Sequence, residues 1–380
     1  MIDVRLNGQS LATILTSPPS VVDQLQAVCR TMDVTVQKGS GLINYLGQSI
    51  ELWDGAKRKF VGSLRRRSFN ADGAITYTAY DPLYFLAKNP DDWYFKNMTA
   101  TQGFKQLAEA SGVRIKSLAN TGAIFPYLYY QGAEPDKVGL DLIAKTYNGT
   151  KRKYWYRYDP TSGAEGLVLF LRTVPAKLWA FQVGINLVSA SYEESVEEVI
   201  SIVKLVNRDT GKTVTRVNQT ALNHWGPTKH FEEVDKDKAP KMESMAAEML
   251  AKLSTITVNM SAEGINPNGI MPQLFSGDVV YVEEKQTGLI GAYHILNITQ
   301  TYESSQLIRI AFDLQLAPDI PTIQYEDATK PPEATTAAAK KAATKKEADK
   351  KAATKKAKEG TGVQQAYSPE LKKVIDKYGL

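Results

Sequence analysis

Two stretches of strand-like alternation, separated by a stretch with helical spacing, constrain this chain more than any other feature of its sequence. In the first ninety residues apolar and polar side chains alternate through Ile50-Glu51-Leu52-Trp53, Phe60-Val61-Gly62-Ser63-Leu64 and Ile75-Thr76-Tyr77-Thr78-Ala79-Tyr80. That is the period of a strand with one buried face. Trp53-Asp54-Gly55-Ala56 and Asn70-Ala71-Asp72-Gly73 supply turns of the kind hairpins need. The pattern predicts a small antiparallel β unit over residues 1–94. One helix is expected within it, because Ser20 and Asp23 have capping-box spacing and Val21, Leu25, Val28 and Cys29 fall on one helical face.

From Asn97 the spacing becomes helical. Thr99-x-x-Gln102 opens a helix that carries Phe104, Leu107 and Ala108, and Gly112 stands where a C′ glycine ends one. A second helix starts at Pro135, buries Val138, Leu142, Ile143 and Ala144, and stops at Asn148-Gly149. An aromatic strand, Lys153 to Tyr158, then pairs through a Pro-Thr-Ser-Gly turn with Leu167-Val168-Leu169-Phe170-Leu171. Residues 95–184 therefore read as an α+β insert.

Alternation returns over residues 185–325, in Val199 to Val206, Val214 to Val217, Val279 to Val282 and Ile290 to Tyr302, with one helix from about Pro240 to Leu253 carrying Met245, Met249 and Leu253 on a face. This is a second β unit. Beyond Pro318 no core can form: residues 326–365 are rich in Ala, Lys and Thr, and Lys340 to Lys346 repeats as Lys350 to Lys356. Lysines four apart oppose helix formation by about 0.2–0.5 kcal/mol a pair, so a tether or a marginal helix is expected. Residues 366–380 read as a short helix. Ser368 caps it, Pro369 takes its first position, and Leu371, Val374, Ile375 and Tyr378 form an apolar stripe that needs a partner surface.

Charge follows the same division. The formal net charge is +5, yet from Lys330 onward thirteen Lys face six acids, so the tail alone carries +7 and the first 329 residues carry −2. The globular part lacks the basic footprint of a nucleic-acid-binding domain, and only the lysine-rich tail keeps that option. A single cysteine, Cys29, excludes an intrachain disulfide framework. No uncharged apolar run reaches the length of a membrane span, and the chain reads as one made and assembled in the bacterial cytoplasm.

No catalytic, cofactor or metal site is expected. His224, His230 and His294 lack metal-ligand spacing, although His230 with Glu232, Glu233 and Asp235 admits being drawn as a cluster. Cys29 sits on an apolar face, and glycine-rich phosphate loops and serine elbows are missing. Glu193, Glu194, Glu197 and Glu198 leave a cell-wall hydrolase open as an alternative. Tyr154, Tyr156 and Tyr158, flanked by Lys151, Arg152, Lys153 and Arg157, leave a base-stacking platform open as another. Arg65-Arg66-Arg67 reads as a charged strand end that blunts edge pairing.

Several stretches carry a resemblance: Tyr80-Asp81-Pro82-Leu83-Tyr84-Phe85-Leu86-Ala87-Lys88-Asn89, Tyr94 to Thr101, Gly277-Asp278-Val279-Val280-Tyr281-Val282, Thr287 to Ile295, and Phe312 to Leu316. In this order and spacing, over residues 20–318, the chain resembles the baseplate hub proteins of Gram-positive contractile phages, defective prophages and tail-like bacteriocins, which are related to the first part of type VI secretion spike proteins. The resemblance implies two tube-like β-barrels flanking the α+β insert. It also implies a homotrimer that joins a sixfold tail tube to a threefold spike within a virion tail, with tube or tube-initiator, spike and other baseplate proteins as partners. The C-terminal helix is expected to dock on one of those neighbours.

Overall fold

The computed structural model of the chain describes residues 1–37, 46–69, 71, 73–267 and 269–316. The fold is mainly β, with several sheets, and the largest has 13 strands. From one edge its path runs Leu187–Ser195, Thr257–Pro267, Leu307–Gln315, Leu289–Ser304, Ser20–Gln24, Thr31–Gln37, Ala74–Tyr80, Lys57–Phe69, Ser49–Asp54, Ile2–Leu6 and Gln9–Ser10. Val279–Glu284 pairs with the first part of Leu289–Ser304 and carries the short strand Trp179–Gln182 in parallel. One sheet thus runs through both stretches of alternation. They share a single core, to which Val34, Ile50 and Phe60 contribute from one side and Phe181, Val280 and Phe312 from the other.

The link between the two is Ser20–Gln24, antiparallel to Thr31–Gln37 on one side and to Leu289–Ser304 on the other. This corrects the helix expected from Ser20. Val21 and Val22 are β-branched, and neighbours on both sides satisfy their backbone groups. Asp23, rather than capping its own chain, accepts from the Ser276 N–H at 3.0 Å and hydroxyl at 2.8 Å. A local cap worth about 1 kcal/mol loses to two ladders of strand pairing.

None of the sheets closes into a barrel among the described residues. Each half does curl back on itself. Leu15 bridges Val36, with Thr16 N–H donating to the Thr35 carbonyl and Gln37 N–H to the Ile14 carbonyl, both at 2.9 Å; in the other half Val183 bridges Leu187. These are seams of single bridges, so the expected barrels are open, curled sheets in the single chain.

The insert follows its sequence signals closely. Ala100–Ala110 begins with the complete capping box, Thr99 N–H donating to Gln102 Oε1 at 2.8 Å. It ends with Gly112 at φ +67°, where Val113 N–H reaches the Ala108 carbonyl and Gly112 N–H the Glu109 carbonyl, the paired bonds of a Schellman motif. Pro135–Thr150 runs past the expected stop and ends at Lys151 in the left-handed region. The hairpin of Tyr154–Asp159 and Gly166–Leu171 gains Ile115–Leu118 as a parallel third strand, and Asp91–Thr99 pairs with Ile124–Ala133 as a separate ribbon.

Ile202–Val206 and Thr213–Val217, expected in the second β unit, instead join Lys229–Glu233 in a separate three-stranded sheet. The helix Met242–Leu253, preceded by a 3-10 turn holding Pro240, covers one face of it. Val203, Leu205, Val214, Met242 and Ala246 form that small core, with Met245, Met249 and Leu253 at its rim.

Candidate functional site

Tyr80-Asp81-Pro82-Leu83 and Gly277-Asp278 build corners where the parts of the fold meet. Asp81 follows the strand Ala74–Tyr80 and caps the turn Pro82–Ala87, its Oδ1 accepting from Leu83 N–H at 2.9 Å. Its Oδ2 accepts from Arg30 N–H at 3.1 Å, while Asp81 N–H donates to the Arg30 carbonyl at 3.0 Å. Pro82 suits the first turn, Leu83 is buried, and Tyr80 stacks on Tyr84 with ring centres 5.2 Å apart. Burial pushes the Asp81 carboxyl up to about 7, opposed in part by the Arg30 guanidinium.

Arg30 is itself buried. Its Nη2 donates to the Lys59 carbonyl at 2.9 Å, and its guanidinium lies 5.0 Å from the Phe275 ring. At the second corner Gly277 adopts φ +85°, and Asp278 accepts from Phe275 N–H at 3.0 Å and from Arg157 Nη1 at 2.7 Å. Arg157 also packs 4.2 Å from the Phe275 ring, so the insert is tied to the sheet by charge and by aromatic contact together. Between the corners lies a cavity of about 30 Å³ walled by Asp23, Cys29, Arg30, Asp81, Tyr156 and Ser276. It has room for a water or two and none for a substrate.

The residues that sequence offered for chemistry are dispersed. His224 is exposed on a short helix, with Nδ1 2.9 Å from the Thr220 carbonyl, and His230 lies 3.4 Å from Glu232. His294 is buried in the large sheet, where burial and then Arg172 and Lys153 push its pKa down. Among the described residues no group of three His, Cys, Asp or Glu side chains is arranged to hold a metal, and no helix is long and apolar enough to cross a membrane. Burial pushes the Cys29 thiol far up, away from thiolate reactivity. Glu193, Glu194, Glu197 and Glu198 are exposed on and just after the edge strand.

The aromatic strand corrects the stacking-platform reading. Tyr154, Tyr156 and Tyr158 do share a face, but that face is covered: they are 2%, 7% and 4% exposed in the core with Phe104, Ala108 and Ile143. Burial pushes the Tyr158 phenol up to about 12 and Tyr156 higher still. Arg65 lies over the rings of Tyr84 and Phe85 at 4.8 and 5.0 Å, and Arg67 over Phe69 at 4.9 Å. Sequence reading missed Arg30, Asp23 and Arg157 as junction residues. The available signal was a charge inside an apolar or aromatic run. Leu371, Val374, Ile375 and Tyr378, with the tether, lie outside the described residues.

Comparison with known proteins adds to this geometry. The family description YQBQ-like matches residues 20–314. The phage-like element PBSX protein XkdQ of Bacillus subtilis (strain 168) is 26% identical over 246 residues, spanning 64% of this chain and 73% of XkdQ. Among solved structures, the 43 kDa tail protein of prophage MuSo2 from Shewanella oneidensis has a TM-score of 0.58 at 15% identity, covering 83% of this chain and 98% of that one. The E. coli c3393 protein, described as a type VI secretion component with structural similarity to T4 bacteriophage tail proteins, has a TM-score of 0.52 at 10% identity, covering 84% of this chain and 79% of that one. At such identities the likeness is one of fold.

Proposed function

Because this chain belongs to the YQBQ-like family, we propose that it is a structural protein of a contractile phage tail or tail-like particle, the hub that joins a sixfold tube to a threefold spike. The observation that carries this reading is the large sheet: two β units in one chain, continuous with each other, in a fold shared with a prophage tail protein over nearly all of that protein's length. Two tube-like units per chain give six quasi-equivalent positions from three chains, which matches sixfold symmetry above and threefold symmetry below. The work is assembly rather than catalysis. In this reading the chain acts in the baseplate, after assembly in the host cytoplasm, with tube or tube-initiator and spike proteins as neighbours and the C-terminal helix docking on one of them.

Mass photometry of the purified chain, followed by reconstruction of the particle, tests the reading. Three copies in a ring at the tube's end are expected. A ring of six copies, or a single copy, overturns the trimeric hub.

A further inference from the structure

The large sheet has an open edge in each of its halves. Leu187–Ser195 ends the path on one side: it pairs with Thr257–Pro267 and, beyond the single bridge at Leu187, with no other described strand. In the other half Lys57–Phe69 outruns its neighbour. Ser49–Asp54 stops opposite Ser63, the last bonds on that side join Leu64 to Gly47 and Gln48, and Arg66 to Phe69 pair only with Ala74–Tyr80 among the described residues. Such edges present backbone groups that another strand can take up.

The two edges carry opposite charge. Residues 178–203 contain no Lys or Arg, and Glu193, Glu194, Glu197 and Glu198 stand exposed on and just after Leu187–Ser195. Glu193 and Asp313 are the acids lining a groove of about 310 Å³ beside that edge, and no described base lines it. Residues 55–71 contain no Asp or Glu, and Arg66 is exposed, its guanidinium donating to the Thr78 hydroxyl at 3.2 Å. Each edge therefore repels its own kind and suits the other. The chain does not join them itself, since neither strand pairs with the other.

Direction and facing agree as well. Seven antiparallel steps lead from Leu187–Ser195 to Lys57–Phe69, so a second sheet set beside the first in the same orientation brings these strands together antiparallel. Phe69, opposite Ile75, lies on the core face of the sheet, and Arg66 and Ser68, opposite Thr78 and Thr76, lie on the outer face. Ala190 and Tyr192, opposite Ala262 and Met260, lie on the core face, and Ser191 and Glu193 on the outer. Setting Arg66 opposite Glu193 puts Ser68 opposite Ser191 and Phe69 opposite Ala190, beside Tyr192. Phe69 and Tyr192, 61% and 42% exposed in the single chain, then cover each other. A slip of one residue would turn Phe69 onto the polar face.

We propose that the edge Arg66 to Phe69 of one copy pairs antiparallel with Leu187–Ser195 of a second copy of this chain, with Arg66 opposite Glu193, so that the large sheet continues from copy to copy. The contact is head to tail, the kind that closes into a ring. It rests on the trimeric hub reading for the number of copies and goes beyond it in naming the surface by which they meet.

Disulfide trapping and mass photometry of the full chain test the pairing. Ser68→Cys combined with Ser191→Cys is expected to link copies on mild oxidation, because directly opposed strand residues lie within disulfide reach, and neither single variant is expected to do so. Arg66→Glu and Glu193→Arg are each expected to raise the midpoint concentration of assembly at least fivefold, and the variant carrying both to restore it. All these positions are exposed, and unchanged melting of the variants checks the fold. Trimers that are indifferent to both reversals and give no trapped species overturn this surface and leave the hub standing. Trapped chains of copies with no three-copy species uphold the pairing and count against the hub. A chain that stays single and untrapped overturns the pairing.

Discussion

Asp81 keeps its carboxyl group 2% exposed between two backbone N–H donors. In the unfolded chain such a carboxyl titrates at 3.8; in the fold burial raises it to about 7. A group whose folded pKa is raised contributes stability that is complete below the unfolded value and is lost as pH rises through the folded one. Asp81 therefore makes the protein less stable as pH climbs from about 4 to 7, by at most about 4 kcal/mol. Asp81→Asn is expected to flatten the fall in Tm between pH 5 and 8, while costing about 1–3 kcal/mol at pH 5, because an amide accepts from only one of the two N–H groups. Thermal melts across that range read both effects, and an unchanged slope would show that Asp81 does not titrate there. Gly264 is a second sensitive residue. A Cβ there would stand 2.4 Å from Phe181 Cδ1 and 2.9 Å from the Asn186 carbonyl oxygen. Gly264→Ala is expected to lower stability by about 1–3 kcal/mol in urea titration, through overpacking against the Phe181–Phe312 pair.

Among the elements, the helix Ala100–Ala110 is specified most completely by its own residues. It has a capping box at one end, a Schellman motif at the other, and Phe104, Leu107 and Ala108 buried between. Thr99→Ala is expected to cost about 1 kcal/mol in chemical denaturation and Thr99→Ser much less, since the serine hydroxyl still accepts from Gln102 N–H. Equal losses in both variants would show that the threonine methyl, and not the cap, matters. Ser20–Gln24 stands at the opposite extreme. Its Asp23 has cap spacing and its apolar residues have helical spacing, yet strand partners 250 and more residues away in sequence decide its conformation.

For the whole molecule, the prediction concerns assembly. The spacing of Leu371, Val374, Ile375 and Tyr378 is that expected of an apolar stripe on a helix of about three turns, a length too short to persist alone in water. The double substitution Val374→Asp with Ile375→Asp is expected to leave the melting of residues 1–316 unchanged and to reduce particle assembly severely, as counted by electron microscopy. Normal particle numbers with the double variant would remove the helix from the docking scheme. A tether from Lys330 to Val363 spans roughly 110–120 Å when extended and roughly 50 Å when helical, so the partner surface need not belong to this chain.

Residue spacing by itself determined the mainly β character, the capped helix after Thr99 and the aromatic hairpin. Each of these depends on near neighbours: a side chain four residues away, a glycine at positive φ, or an alternation that repeats over six residues. Tertiary structure decided the rest. Alternation shows that Val203 and Leu205 have a buried face but not that a helix 40 residues later covers it. It places Tyr154, Tyr156 and Tyr158 on one side of a strand without telling covered side from open. Barrel closure was equally out of reach, because it depends on whether distant edges such as Leu15 and Val36 meet in a full ladder or in one bridge. Buried charges such as Arg30 become readable only when the fold brings Lys59, Phe275 and Asp81 around them, since the desolvation that makes them structural comes from residues far apart in the chain.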